Sequence, residues 1–202
     1  MKGELKKLAL AELRQKGKPR EKGPKPRTKL RHMTPIDERP KEVDSRDVPG
    51  HGEGDLIIGD QRKSALSVIV ERKTRHVMEG KLLSYDAETV RKSLERRWGK
   101  LDPALAEGLT CDQGKEMVQH EALARRVKMK VCFCHPHSPW EKGRCENTND
   151  LIRDMLEGVT DFRVLSQAQV TRVADLLNER PRQTLGFKTS KDQIMQLCAE
   201  SY

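Results

Sequence analysis

The feature that most constrains the fold is a pair of short apolar segments that follow a break at residues 48–50. The segments occupy residues 55–58 and 65–70, are rich in β-branched residues, and are bounded by polar, turn-forming residues. Apolar runs of this length with such flanks are typical of strands buried on both faces of a sheet. They predict a buried sheet in this part of the chain.

Strand and helix patterns alternate after these two segments. Further strands are predicted at 75–83, 109–112 and 130–133. Apolar residues recur at helical spacing in 86–98, 116–127 and 143–156. Ser166 begins one more helix with a capping box completed by Gln169, and Pro181 ends it. Consecutive strands followed by this alternation predict an α/β fold, a mixed sheet with flanking helices.

The composition divides the chain into three parts. Residues 1–49 are predicted to form a basic, Pro-rich arm and linker, extended and solvated from residue 17 onward. Within the arm, residues 4–15 have the apolar spacing of a short amphipathic helix. Residues 50–189 are expected to form the globular core, and 190–202 a C-terminal tail.

The net charge of +9 lies entirely in the first 35 residues, which contain twelve Lys and Arg against three Glu. Such a segment either contacts a polyanion such as nucleic acid or only keeps the chain in solution. No apolar run approaches the ~18 residues of a membrane span, and the N-terminus lacks a secretion signal. Five cysteines, an odd number, then favour free thiols in a reducing cytoplasm over a disulfide framework.

Three carboxylates stand at unusual positions. Asp55 is expected at the start of an apolar strand, Asp112 at the end of a short strand, and Glu146 in the first turn of a helix. They are either solvated chain positions or ligands of a shared divalent cation, because Mg²⁺ and Mn²⁺ prefer oxygen ligands. Two such ions about 3.5–4 Å apart stabilise the attacking and leaving oxygens of a phosphoryl transfer. Spacing by itself does not decide between these interpretations.

Five ordered motifs around these carboxylates form a recognisable pattern. They are Gly50-His-Gly-Glu-Gly-Asp-Leu-Ile-Ile-Gly59, Val70-Glu-Arg-Lys-Thr-Arg75, Asp112-Gln-Gly-Lys-Glu-Met117, Pro136-His-Ser-Pro-Trp140 with Glu146-Asn-Thr-Asn149, and Asn178-Glu-Arg-Pro-Arg-Gln-Thr-Leu-Gly186. Over roughly residues 33–189 the chain closely resembles the catalytic core of bacterial transposases of the insertion sequence 30 family. That family lies within the Asp–Asp–Glu transposase and integrase superfamily.

The resemblance implies a ribonuclease-H-like fold in which Asp55, Asp112 and Glu146 are the catalytic, metal-binding triad. The 33 residues between Asp112 and Glu146 match the family spacing. The implied activity is cleavage of DNA at insertion-sequence ends and transfer of the 3′-hydroxyl into target DNA, with two Mg²⁺ or Mn²⁺ ions as cofactors. A homo-oligomer on DNA, associated with the nucleoid in a bacterial cytoplasm, is also implied.

The chain departs from the family pattern at several points. Gly52 stands where relatives have Trp, and His135 where they usually have an acid. Full-length members carry helix-turn-helix regions upstream of the core, and we expect these to be absent because only the basic arm precedes it. Two rival interpretations stay open: a structure-selective nuclease of the same fold, and a truncated, inactive remnant that binds DNA or intact transposase as a regulator.

Basic residues close to the triad in sequence are candidate DNA phosphate contacts. They are Lys115, His137, Lys142, Arg144 and Arg153. For each the alternative is a solvated side chain or, for His137, an ordering role in the loop before Glu146.

A second cluster, Cys132-x-Cys134-His135-x-His137, has zinc-ligand residue types. Its two cysteines lack the separation that zinc sites normally show, which favours thiols packed in a strand.

Overall fold

A mixed six-stranded sheet forms the centre of the molecule, of which the computed structural model describes residues 30–200. Its strands are β1 (Thr34–Pro35), β2 (His51–Ile58), β3 (Ala65–Glu71), β4 (Val77–Leu82), β5 (Gly108–Cys111) and β6 (Lys130–Phe133). They lie in the order β1-β6-β5-β2-β3-β4. The first four in this order are parallel, whereas β3 pairs antiparallel with both β2 and β4. The predicted α/β fold class is confirmed.

Helices flank the sheet. They are α1 (Ala87–Trp98), α2 (His120–Val127), α3 (Gly143–Met155), α4 (Gln167–Asn178) and α5 (Ser190–Glu200). The predicted capping box is present at the start of α4, where Ser166 and Gln169 satisfy each other's backbone N–H groups. Within residues 30–200 no helix has the length and apolar character needed to cross a membrane.

Strand β3 lies at the centre of the core, and all seven of its residues are buried. Because side chains alternate along a strand, it supplies two apolar clusters. Ile69 packs in the cluster that contains α1 and α2, whereas Val68 and Val70 pack in the cluster that contains α3 and α4. The prediction that this strand is buried on both faces is confirmed, and α3 is thereby fixed against one face of the sheet.

Strand β2 is longer than predicted. It begins at His51 rather than Asp55, because its glycine-rich start pairs with β5 on one side and β3 on the other. Asp55 therefore lies inside the strand and not at its start, which corrects the sequence-based expectation. Similarly, the helix predicted at 116–127 opens with a 3-10 turn at Lys115–Met117, and α2 itself begins at His120.

The segment from residue 30 to 49 packs on the core, which corrects its prediction as an extended, solvated linker. Leu30 and Val43 are buried, and Thr34–Pro35 form the edge strand β1 beside β6. The Nη2 group of Arg72 donates to the Val43 carbonyl at 3.2 Å and holds the segment in place. The predicted helix at 4–15 lies outside the described residues.

At the other end, the predicted tail contains helix α5. The boundaries of the arm, core and tail stay a prediction.

Gly52 has a packing role that accounts for one departure from the family pattern. A Cβ atom at this position would lie 2.7 Å from Cη2 of Trp98, closer than such atoms normally approach. Trp98 is fully buried at the end of α1. The indole of Trp98 thus occupies the space beside the β2 backbone that a larger residue at position 52 would need.

Candidate active site

Parallel pairing of β2 and β5 brings two of the predicted carboxylates together. Glu53 pairs with Thr110, and continuing this register by two residues sets Asp112 beside Asp55. Neighbouring residues in register on parallel strands point to the same face of a sheet. Asp55 and Asp112 therefore share one face, although Asp112 itself is the first residue after its strand.

The ammonium of Lys142 bridges the two carboxylates. Its Nζ atom lies 3.3 Å from Oδ1 of Asp55 and 3.0 Å from Oδ1 of Asp112, and it donates to the Gly54 carbonyl at 3.4 Å. Burial lowers the pKa of this buried lysine, but the two carboxylates outweigh burial and raise the pKa above its usual value. The side chain stays protonated, and the carboxylate pair surrounds a single positive charge.

Helix α3 is fixed to this site by two side chains of β2. Nδ2 of Asn149 donates to Oδ2 of Asp55 at 2.9 Å. At the start of the helix, Oε2 of Glu53 accepts the backbone N–H groups of Arg144 at 3.2 Å and Cys145 at 3.1 Å. A carboxylate at this position satisfies N–H groups that have no partner within the helix.

Glu53 is itself held by Arg72. The two side chains are buried, and Nη1 of Arg72 lies 2.7 Å from Oε1 of Glu53. Because the remaining carboxylate oxygen binds the start of α3, this ion pair links β2, the turn after β3 and the helix. A buried pair of this kind fixes geometry more than it adds stability.

Glu146 lies in the first turn of α3, as predicted, and is exposed. It precedes Asn149 by three residues, so both project from the same side of the helix. Within residues 30–200, however, no three His, Cys, Asp or Glu side chains are close enough together to hold a metal ion. The structure thus brings Asp55 and Asp112 together and leaves Glu146 outside the pair.

The donor atoms nevertheless suit a hard divalent cation, which prefers oxygen ligands. Two carboxylates from adjacent strands already converge on one positive charge, and the side chain of Asp112 is 60% exposed to solvent. A third carboxylate projects from the helix side that carries Asn149. The residues therefore fit such a cation, with the Lys142 ammonium lying between the two aspartates.

The other predicted phosphate contacts occupy different surroundings. Lys115, His137 and Arg153 are exposed, and Arg144 is half-buried. Lys142 is not a free surface cation, because it is 2% exposed and paired with both aspartates.

The residues of the alternative zinc cluster have other roles in the structure. Cys132 and Cys134 are buried, and burial raises the pKa of both thiols, that of Cys134 to about 12. This is opposite to the thiolate that zinc requires. His135 instead lies 2.9 Å from Glu141 and 3.0 Å from Asp37, and these contacts tie the segment before β2 to the loop before α3.

Sequence reasoning missed how the ends of the central strands are fastened. Nε2 of Gln113 donates to the Cys134 carbonyl at 2.9 Å, which joins the ends of β5 and β6 beside Asp112. The Glu53–Arg72 pair was likewise not foreseen. A signal for it existed, since both residues lie in the recognised motifs, Glu53 as a charge within a strand and Arg72 as a charge directly after one.

Comparisons with known proteins agree with this architecture. The family model described as "Integrase core domain" matches residues 45–139. The match includes Asp55 and Asp112 and ends before Glu146.

Several transposases are similar to the chain. It is 41% identical over 200 residues to the transposase for insertion sequence element IS1086 of Cupriavidus metallidurans, covering 98% of this chain and 59% of the relative. It is 39% identical over 161 residues to transposase InsI for element IS30A of Escherichia coli K12, covering 80% of this chain and 42% of the relative. It is 36% identical over 166 residues to the transposase for insertion sequence element IS4351 of Bacteroides fragilis, covering 82% of this chain and 51% of the relative.

This chain spans between 42% and 59% of the length of these three relatives. The matches extend well beyond the carboxylate pair and cover most of this chain. They confirm the resemblance read from the motifs: the chain is similar to insertion sequence 30 family transposases and carries an integrase core domain.

Proposed function

We propose that the chain is an Asp–Asp–Glu transposase core that cleaves DNA at insertion-sequence ends and joins the freed 3′-hydroxyl to target DNA. The observation that carries the proposal is the convergence of Asp55 and Asp112 on the Lys142 ammonium, at the point where the middle of β2 lies beside the end of β5. The similarity to transposases supports DNA as the substrate.

In this proposal Asp55, Asp112 and Glu146 hold two Mg²⁺ or Mn²⁺ ions. When bound, such ions activate the attacking oxygen and neutralise the leaving 3′-oxygen of an in-line phosphoryl transfer. The Asn149 amide keeps Asp55 oriented, and Glu53 fixes the start of the helix that carries Glu146. These contacts preorganise the acidic side chains before DNA binds.

Lys142 has two roles in the proposal. In the free chain its ammonium offsets part of the negative charge of Asp55 and Asp112 and so reduces their mutual repulsion. Asp55 and Asp112 would hold a divalent cation once released by Lys142, whose ammonium would then be available to a phosphate oxygen of the DNA. A lysine suits this exchange because its charge is compact and its stem is flexible.

The test is an assay of cleavage and joining on labelled duplex DNA that contains the genomic sequences flanking the coding region. With Mg²⁺ or Mn²⁺ we expect cuts at defined positions, and joined products when a second duplex is supplied. Chelation of the metal should abolish both reactions. Cleavage without joining would instead indicate a nuclease, and DNA binding without either reaction would indicate the inactive regulator.

A further inference from the structure

A cavity of about 370 Å³ lies on the flank of α3 away from the carboxylate pair. The helical period sets Arg144 and Thr148 on one side of the helix, and Glu146 and Asn149 on the other. The lining residues come from four separate parts of the chain and are Arg46, Val70, Arg75, Gly143, Arg144, Asn147, Thr148 and Arg182.

Every charged residue that lines this cavity is an arginine. Arg46 precedes β2, Arg75 lies between β3 and β4, Arg144 lies in the first turn of α3, and Arg182 follows α4. Among residues 30–200, no carboxylate lines the cavity. The four guanidinium groups are therefore gathered by tertiary structure from distant points of the sequence, without an acidic partner among them.

Three of the four guanidinium groups have no hydrogen-bond or ion-pair partner in the part of the chain that the structure describes. Within residues 30–200, the side chains of Arg46, Arg75 and Arg144 form no hydrogen bond and no ion pair, and the Nε atoms of Arg46 and Arg144 are buried. Only Arg182 is engaged, since its Nε donates to Ser190 and its Nη2 to the Leu177 carbonyl. Buried donors without acceptors are unfavourable, so their presence here calls for an acceptor from outside the chain.

The lowered pKa values of the lining arginines indicate that positive charge in the cavity is not balanced by nearby negative charge. Burial, followed by repulsion from Arg75 and Arg46, lowers the pKa of Arg144 to about 10. The pKa of Arg75 and that of Arg182 are lowered in the same way, by burial and then by a neighbouring arginine. Glu53, the carboxylate whose charge raises the pKa of Arg144, is already paired with Arg72 and with the start of α3.

We propose that this arginine cavity is a binding subsite for a backbone phosphate of DNA, separate from the phosphate that reacts at the carboxylate pair. Guanidinium groups present several N–H donors in a planar fork that matches phosphate oxygens, and a phosphodiester supplies acceptors without a base-specific requirement. The choice of DNA as the source of the phosphate rests on the proposed function. Because α3 separates the two sites, one helix would position a bound strand from both sides.

The test compares Arg75→Gln with a matched control, Arg125→Gln, in the full chain. The Arg125 side chain is exposed on α2, which packs on the opposite face of the sheet. Affinity for a duplex is measured without divalent metal at several salt concentrations. Loss of one phosphate contact flattens the plot of log affinity against log salt by about 0.9. We expect this change for Arg75→Gln and none for Arg125→Gln.

A thermal melt with inorganic phosphate as the probe separates a binding role from a structural one. Without phosphate, Arg75→Gln should melt no lower than the parent chain, because the replaced guanidinium has no partner and faces like charges. Added phosphate should raise the melting temperature of the parent more than that of the variant. Arg46→Gln serves as a second variant, with the same expected results, should Arg75→Gln fail to fold.

A salt slope that is unchanged in both Arg75→Gln and Arg46→Gln would overturn the proposal. A parent chain that does not bind the duplex would also overturn it, whatever the effect of inorganic phosphate on the melting temperature. A variant whose slope is flatter in a chain that neither cuts nor joins DNA would refute the proposed function and leave this subsite supported. The salt slope and the cleavage assay therefore distinguish failure of the subsite from failure of the proposed function.

Discussion

The buried ammonium of Lys142 decides how the carboxylate pair behaves before any cation binds. Replacing Lys142 with Met keeps an unbranched, slightly shorter side chain and removes its charge, so Asp55 and Asp112 are left to repel each other. In metal-free buffer, the variant is expected to lose about 1.5–3 kcal/mol of unfolding free energy, the usual value of interactions with charged groups. Added Mg²⁺ should then raise its melting temperature more than that of the parent, because no ammonium competes.

The measurement is a thermal melt with and without Mg²⁺, with Lys63→Met at an exposed position as the control. An equal response of all three proteins to Mg²⁺ would show that Lys142 does not occupy the cation position.

Glu79 makes the stability of the fold depend on pH. It is 2% exposed, both its carboxylate oxygens lack a hydrogen-bond partner among the described residues, and burial raises its pKa to about 8 although Arg97 opposes the shift. The unfolded chain ionises this group near 4.5, so unfolding releases a proton between pH 4.5 and 8. Stability from this group is therefore complete below pH 4.5 and is lost as the pH rises through 8.

The variant Glu79→Gln should remove this dependence. Urea unfolding from pH 5 to 9 is expected to show the variant gaining stability relative to the parent as the pH rises. Glu157→Gln, at an exposed position, should run parallel to the parent. A constant difference between Glu79→Gln and the parent across this range would mean that Glu79 is already ionised in the folded chain.

Among the elements, helix α4 is hydrogen-bonded to the edge strand β4 through the side-chain amide of Asn178. Asn178 accepts the backbone N–H of Val77 and donates to its carbonyl, both at 2.8 Å, at the start of the edge strand β4. Asn178→Ala would leave both buried backbone groups unpaired, at about 1–3 kcal/mol for each. The variant should show this loss in urea unfolding, and a loss below about 0.5 kcal/mol, typical of surface substitutions, would contradict the role given to Asn178.

Most elements were predictable because their apolar residues follow the strand or helix period closely, as in β3 and α1. Those missed depend on tertiary contacts. Thr34–Pro35 have no strand pattern of their own and form β1 only because β6 lies beside them. Helix α5 buries only two residues, Ser190 and Ile194, so its sequence carries little amphipathic signal.

The acidic residues of the site were predictable from the sequence, whereas the position of the Lys142 ammonium between them was not. Asp55 and Asp112 could be paired from the resemblance and the strand pattern, since both mark positions in motifs. The position of Lys142 between them depends on where α3 docks, and this is set by Glu53 and Asn149 across about 90 residues of chain. Such long-range contacts leave no local period in the sequence.

At the scale of the whole molecule, the charge distribution predicts how DNA is held. Eleven of the twelve basic residues in the first 35 lie in residues 1–29, so their removal takes most of the excess charge while leaving Leu30 and β1 intact. If half of the twelve contact phosphates, the salt slope of the full chain should be roughly −5. Deletion of residues 1–29 should flatten it and weaken binding equally for two unrelated duplexes. Equal slopes for both chains would mean that the arm does not contact DNA.

The central claim is that Asp112 is a ligand of the metal that drives DNA cleavage. The most direct measurement compares Asp112→Asn with the parent and with Asp154→Asn, an exposed control later in α3, on the same labelled duplex in Mg²⁺ or Mn²⁺. Removal of an anionic metal ligand should lower activity by more than the roughly 10–100-fold that is typical of changes to outer-shell residues. We therefore expect Asp112→Asn to lower cleavage by at least ~100-fold while DNA binding is kept or improved and Asp154→Asn stays active. An Asp112→Asn chain that cleaves as well as the parent would contradict the account.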